Sequence, residues 1–260
     1  MPELPDVEIY RRRLDSKALN QAIERVQVAA PALLEGISPR GLARALVRHR
    51  FALTQRHGKH LFVRIDRGDW LALHFGMDGD LAYYGPAGER PSYAGVVIDF
   101  GNGFHLAYVS SRKLGRITLA RDPHDYVAKK HLGPDALALD RKTFVALARR
   151  GRGAVKTWLT NQRVIAGVGN IYSDEILFQA RLHPKRELGT CNDADLGHLF
   201  DSMRKVLRSA IAARADARRM PHRFLLPARL AGGYCPNCGA RLRTLRAAGR
   251  TTYFCAHCQH

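Results

Sequence analysis

Negative charge is scarce in this chain and runs out before the end. Its 260 residues hold 23 Asp+Glu against 42 Lys+Arg, a formal charge of +19. Met203–His260 carries twelve Lys+Arg and one acid, Asp216, and no acid follows it. Such asymmetry favours a polyanionic partner, and nucleic acid first, because phosphate neutralisation with counterion release supplies most non-specific affinity. Lysine is also sparse, nine against thirty-three arginines. That counts against an acidic membrane surface, which is usually met by Lys-rich amphipathic helices or polybasic tails. It suits the bidentate phosphate contacts and base-stack insertion that a guanidinium makes well. A solvated surface with an arginine bias is the bland alternative, and the concentration of charge toward one end argues against it. Long apolar runs are missing: none approaches eighteen residues, and the start lacks the basic-then-apolar layout of an export signal, so neither a membrane span nor secretion is expected. What is present, 46% hydrophobic residues, is enough for real cores and excludes a mainly disordered chain.

Four of the five cysteines form one pattern. Cys235-x2-Cys238 and Cys255-x2-Cys258 are two knuckles separated by sixteen residues, the spacing of a tetrahedral four-cysteine zinc site. Two disulfides are the alternative, disfavoured without an export signal. Four thiolates close the coordination shell, so the expected Zn2+ is structural. The spacer reads as a two-stranded ribbon, 241–246 and 251–255, with Ala247, Ala248, Gly249 and Arg250 as the turn and Arg250 at the tip. Cys191 stands alone and reads as a bystander.

Hydrophobic periodicity divides the rest. Val7, Tyr10, Leu14 and Ala18 recur at helical spacing, which predicts a helix over 6–19 with Pro5 at its start. From Ala22 to about Leu119 short apolar runs broken by Gly, Pro and Asp (61–65, 70–75, 95–100, 104–109) predict two packed β-sheets, interrupted by a short helix near 38–48. Helices are expected again at 140–150, 154–161, 170–180 and 193–215. The fold class is therefore α+β. A β-sandwich domain with an N-terminal helix covers 1–125, a linker 126–134, a helical domain 135–220 and a zinc ribbon 221–260.

Met-Pro-Glu-Leu-Pro-Asp-Val-Glu at the start resembles the beginning of the formamidopyrimidine-DNA glycosylase/endonuclease VIII family, and Gly-Val-Gly-Asn-Ile-Tyr (167–172) resembles its helix–two-turn–helix signature. Residues 59–61, 74–77, 131–135 and the closing ribbon match in the same order, so the resemblance spans essentially the whole chain. It implies a bifunctional DNA glycosylase/AP lyase acting on double-stranded DNA with damaged bases or abasic sites. Pro2, exposed once Met1 is removed, would be the nucleophile. An α-amino group has a pKa near about 7.7–8.0 against about 10.4 for lysine, so far more of it is neutral at pH 7. A secondary amine at C1′ gives an iminium that is cationic without a proton and promotes β- and then δ-elimination. Glu3 would be the general acid and proton shuttle. Taken locally, Pro-Glu-Leu-Pro merely starts a helix.

By the same resemblance Lys59, Asn170 and Arg250 grip the phosphates around the damaged nucleotide. Locally, Lys59 reads as a solvated lysine at a strand start and Arg250 as a solvated turn residue. Asn170 reads as an ordinary helix cap whose side-chain NH2 stays free for phosphate, with Asp174 and Glu175 repelling that phosphate. Glu175 is a supporting residue in this scheme. Met77, Arg112 and Leu114 occupy the positions that fill the stack vacated by the flipped nucleotide; core residues beside turns are the equal alternative for Met77 and Leu114. Asp6 replaces a commoner Glu, Leu114 stands where 8-oxoguanine enzymes of the family carry Phe, and only eighteen residues (217–234) separate the last long helix from Cys235, without the longer loop that closes over a flipped purine. These departures shift the expected lesions toward oxidised pyrimidines, formamidopyrimidines or hydantoins. A non-catalytic zinc-ribbon protein binding distorted DNA explains charge and zinc equally well but leaves Pro2-Glu3 idle, and a lyase with negligible base excision is a third reading. No export signal and a reduced-thiol metal site lead us to expect a cytoplasmic, nucleoid-associated bacterial monomer.

Overall fold

The computed structural model describes residues 1–247 and 249–260, so Ala248 of the expected ribbon turn lies outside the described residues. The chain forms two compact units, Met1–Pro2 with Asp6–His131 and Glu3–Pro5 with Leu132–His260. Among the described residues no helix is long and apolar enough to cross a membrane.

The first unit is built on two four-stranded antiparallel sheets. β1 (Ile23–Val28), β6 (Ala94–Phe100), β7 (His105–Val109) and β5 (Asp80–Tyr84) make one. β2 (Phe51–His57), β3 (His60–Ile65), β4 (Trp70–His74) and β8 (Arg116–Ala120) make the other. The alternation of the strands explains the packing: Leu61, Val63 and Ile65 of β3 and Leu71 and Leu73 of β4 share one core with Val96, Ile98 and Phe100 of β6 and Leu106 of β7. Helix α1 (Leu4–Lys17) contributes Val7 and Leu14 to that core, and α2 (Pro39–Leu46), capped by Ser38, contributes Leu42 and Leu46. The β2–β3 hairpin turns on two residues, Gly58 and Lys59, between the paired His57 and His60. Gly58 holds φ +55 at the first turn position, where a hairpin of this length calls for glycine.

The segment 126–134, expected as a linker, begins inside a helix. α3 (Pro123–Lys129) is started by Asp122, whose side chain accepts from the amides of His124 and Asp125, with Pro123 at the first turn. Its Tyr126 packs edge-on to Phe62 and joins Trp70 in a small core of its own. The aromatic anchor, invisible in local periodicity, carries the helix past the expected boundary.

The second unit holds α4 (Arg141–Arg150), α5 (Val155–Leu159), α6 (Asn170–Gln179) and α7 (Asp193–Ala212), followed by the ribbon β9 (Arg243–Ala247) and β10 (Arg250–Phe254). A reciprocal capping box between Asn192 and Asp195 opens α7. Arg250 pairs with Ala247 as the first residue of β10, one step inside the expected tip. The residues 217–234 are a packed strap: Phe224, Leu225 and Leu226 are buried, and Leu225 shares a core with Phe178 of α6, Cys235, Leu242 and Cys255.

Truncating a ring at the centre of the sandwich tests this core. Phe100→Ala is expected to cost about 3–5 kcal/mol, read as a lower urea midpoint with zinc content unchanged.

Candidate functional site

In the first unit the candidate residues sit on two turns and a hairpin. Lys59 is only 7% exposed, a buried lysine rather than the solvated one its local sequence suggests. Its turn is held from α1. The buried Glu8 carboxylate accepts from Arg11, Arg12 and Arg56, and Arg56 in turn donates to the Gly58 carbonyl at 3.3 Å. Burial raises the Glu8 pKa, but the hydrogen bonds and charges of Arg11, Arg12 and Arg56 outweigh it and bring the value down to about 2. His60 and His74 lie beside this turn with rings 4.8 Å apart. Burial first, then neighbouring cationic groups, lower their pKa values to about 3 and about 4, so both are neutral at pH 7.

Met77 and Leu114 are 43% and 47% exposed, which removes the core alternative for both. Their turns are fastened together. Gly76, at φ +58, lies so close to the other turn that a Cβ would stand 2.6 Å from the Leu114 carbonyl carbon. Asp78 accepts from Ser110 Oγ at 3.0 Å, Ser111 Oγ at 2.5 Å and the Arg112 amide at 2.9 Å. The hydroxyl of Ser111, then the Arg112 amide and Ser110, lower its pKa to about 2. Arg112 therefore projects an exposed guanidinium from a backbone that Asp78 fixes. Sequence reasoning missed Asp78; its signal was an acid in a Gly-Met-Asp-Gly turn facing Ser-Ser-Arg more than thirty positions away.

In the second unit Glu3 is the N-terminal cap of α6. Its carboxylate accepts from the amides of Gly169 (2.7 Å), Ile171 (2.8 Å) and Tyr172 (3.3 Å), and Leu4 N donates to the Gly167 carbonyl at 3.1 Å. Gly169, at the cap position, has no side chain to do this work. Gly167 adopts φ +122, and a Cβ there would stand 2.6 Å from Leu4 Cδ1. Glycine at 167 is thus required both by its positive φ and by the approach of Leu4.

Asn170 is the first residue of α6, not its cap, and its amide is engaged on both sides. Nδ2 donates to the Thr251 carbonyl at 3.0 Å, and Oδ1 accepts from Lys156 Nζ at 2.9 Å. The NH2 group expected to be free therefore gives one hydrogen to the ribbon. Lys156 is 1% exposed, ion-pairs with the fully buried Asp174 and donates to Thr252 Oγ1 at 2.6 Å. Burial lowers the Lys156 pKa and the Asp174 charge opposes that fall. The second Asp174 oxygen accepts from Arg229 Nε at 2.8 Å and Tyr253 N at 3.1 Å. Asp174 is consequently neutralised from two sides and does not repel a phosphate as expected. Sequence reasoning missed the Lys156–Asp174 pair; its trace was a lysine inside the apolar stretch Ala-Val-Lys-Thr-Trp-Leu and an acid four residues after Asn170, on the same helical face.

Glu175 points into the strap, accepting from Leu226 N at 2.7 Å and from Gln179 Nε2 at 2.9 Å. Burial dominates and raises its pKa to about 7 against the lowering of those hydrogen bonds. Arg250 is exposed on the first position of β10. The four cysteine Sγ atoms lie within 4.8 Å of one another, with Cys235–Cys258 at 3.8 Å and Cys238–Cys255 at 3.5 Å. A tetrahedron with Zn–S bonds of about 2.3 Å has edges of about 3.8 Å, so the thiol set fits the metal.

Comparison with known proteins gives matches along the whole chain. Residues 1–117 match the formamidopyrimidine-DNA glycosylase N-terminal domain, 132–221 its H2TH domain, and 234–260 the zinc finger found in FPG and IleRS. The formamidopyrimidine-DNA glycosylase of Halorhodospira halophila is 35% identical, with all of both chains covered. That of Thermomicrobium roseum is 34% identical, covering 100% of this chain and 99% of the relative. Among solved structures, the Lactococcus lactis enzyme non-covalently bound to DNA containing an AP site has a TM-score of 0.89 at 28% identity, with 99% of each chain covered. A point mutant of the same enzyme with DNA containing Fapy-dG also gives 0.89, at 29% identity and 99% coverage of each chain. The zinc-finger match and the thiol cluster together assign one structural zinc.

Two measurements test this geometry. Glu175 is protonated more readily folded than unfolded, so its contribution to stability is complete below pH 4.5 and fades as the pH rises through about 7. Glu175→Gln is expected to gain on the wild type across that window, by as much as about 3 kcal/mol, in urea unfolding at pH 5 and pH 8. Zinc chelation is expected to expose the amides of β9 and β10 to hydrogen exchange while those of β3 and β6 stay protected.

Proposed function

The chain belongs to the formamidopyrimidine-DNA glycosylase family, and on that premise we propose that it is a DNA glycosylase of base excision repair with AP lyase activity. Its substrate is double-stranded DNA carrying a damaged base or an abasic site, and it works as a monomer at the bacterial nucleoid. The observation that carries this reading is the capture of Glu3 by the first turn of α6, which ties the residue after Pro2 to a rigid helix end.

With Met1 removed, the Pro2 nitrogen attacks C1′ of the everted nucleotide as the N-glycosidic bond breaks and the base leaves. The sugar ring opens to an iminium, with Glu3 delivering the proton to the ring oxygen. The iminium withdraws electrons, so loss of a C2′ proton expels the 3′ phosphate, and a second elimination expels the 5′ phosphate. Lys59, Asn170 and Arg250 hold the flanking phosphates. Met77, Arg112 and Leu114 enter the vacated stack, supported by the exposure of both apolar tips and by the Asp78 fastening beneath them. Zinc, when bound to Cys235, Cys238, Cys255 and Cys258, keeps the ribbon folded and takes no part in the chemistry. The strap at 217–234 is fixed to α6 by Glu175 and Asp174, a short preformed cover that suits oxidised pyrimidines, formamidopyrimidines or hydantoins better than 8-oxoguanine.

Borohydride trapping on abasic DNA tests the chemistry. Protein lacking Met1 is expected to give a covalent adduct, and Pro2→Gly or retention of Met1 to reduce it about a hundredfold or more. Tight binding with no trapped species in any form favours a DNA-binding protein without catalysis, and an undiminished adduct with a blocked terminus overturns the nucleophile. A panel of single-lesion duplexes, with the released base identified by mass spectrometry, orders the lesions and separates a glycosylase from a lyase alone.

A further inference from the structure

The second unit carries a depression of about 340 Å³ that none of the residues above explains. Arg150, Gly151, Arg152, Trp158, Asn161 and Arg163 line it, and its lining contains no acid. The arginines around it on the same unit are already engaged: Arg141, Arg149 and Arg186 are ion-paired with Asp201, Asp193 and Asp195. Among the described residues no carboxylate pairs with Arg150, Arg152 or Arg163, and all three are exposed. In a molecule with so many arginines, three such guanidinium groups around one hollow leave a local positive field that no described carboxylate cancels.

A second observation lies in the wall of the same hollow. Trp158 is 5% exposed, and its indole Nε1 is buried without a hydrogen-bond partner. A buried donor left unmet is costly, and each one in a native structure calls for an explanation, a bound ion among them. The ring is not free to turn and find one, because Phe144 packs edge-on against it at 5.3 Å. A Cβ on residue 151 would stand 2.4 Å from Leu188 Cδ2 and 2.6 Å from Nε1, so glycine is needed where this backbone packs against the indole edge.

We infer that this hollow is a phosphate-binding site. Arg152 and Arg163 supply the charge, Arg150 reinforces it, and Trp158 Nε1 donates to a phosphate oxygen. The occupant is a phosphodiester of the duplex outside the damaged nucleotide. A wide hollow rimmed by exposed guanidinium groups suits a phosphate standing out from a backbone, and the net charge of +19 supplies the long-range attraction for one. The inference rests on the DNA-repair reading above and extends its footprint beyond Lys59, Asn170 and Arg250.

The experiment measures binding of a duplex with a stable abasic analogue against salt concentration, using wild type and Arg152→Ala/Arg163→Ala. The double variant is expected to lower the slope of log K against log salt by about one, uniformly across sequences, and to leave borohydride trapping at saturating duplex within about twofold of wild type. The emission of Trp158, isolated by Trp70→Phe, is expected to shift on adding the duplex and to stop shifting in the double variant. An unchanged slope overturns the inference, even if inorganic phosphate shifts Trp158, because the hollow then takes a free anion instead of DNA. Failure of trapping in the wild type sinks the enzymatic reading, while the slope still decides separately whether the hollow holds a phosphodiester.

Discussion

The free amides at the first turn of α6 need an acceptor, and the helix does not provide one locally. Gly169 occupies the cap position with no side chain, and Asn170 turns its amide toward Lys156 and the ribbon. Glu3 meets the need from 166 positions away in sequence. Anionic oxygen at a helix N-terminus is favoured by both hydrogen bonding and the helix dipole. The cap therefore does more than finish a helix: it fixes one end of the peptide link whose other end is Pro2. Gly167 is what allows Leu4, next to Glu3, to come that close.

Behind the cap lies a buried charge network. Lys156 and Asp174 are removed from water, with Arg229 partly exposed beside them, and burial costs several kcal/mol for each ion unless partners replace the solvent. Here every oxygen of Asp174 is used, and Lys156 has three acceptors. Such a network is an inefficient way to stabilise a fold, and apolar residues of similar volume often do as well. What it does supply is orientation. Thr251, Thr252 and Tyr253 are all held by side chains of α5 and α6, so the strand that begins with Arg250 has its position set by the same helix that carries Asn170.

Much of this was readable in the sequence, and the gaps have a common cause. The strands at 61–65, 70–75 and 95–100 and the helices at 140–150 and 170–180 showed themselves because their burial follows a fixed period, and each ends within a residue or two of where the pattern ends. The two knuckles announced the thiol cluster by spacing alone. What could not be read were polar residues whose partners lie far along the chain: Asp78 with Ser110 and Ser111, Lys156 with Asp174 and Thr252, Glu8 with Arg56. Periodicity reports the face of an element and says nothing about which distant side chain it meets. The same limit makes α3 read as a linker, since Tyr126 holds its helix in place by packing on Phe62 and Trp70.

The span of these contacts governs when the machinery can exist. During synthesis the ribosome delivers Pro2 and Glu3 first, but the amides that hold Glu3 belong to residues 169–172, and the partner of Asn170 is residue 251. A nascent or prematurely terminated chain thus carries Pro2 and Glu3 on an untethered end. Assembly of this corner waits for nearly the whole polypeptide, so incomplete copies of the protein lack it.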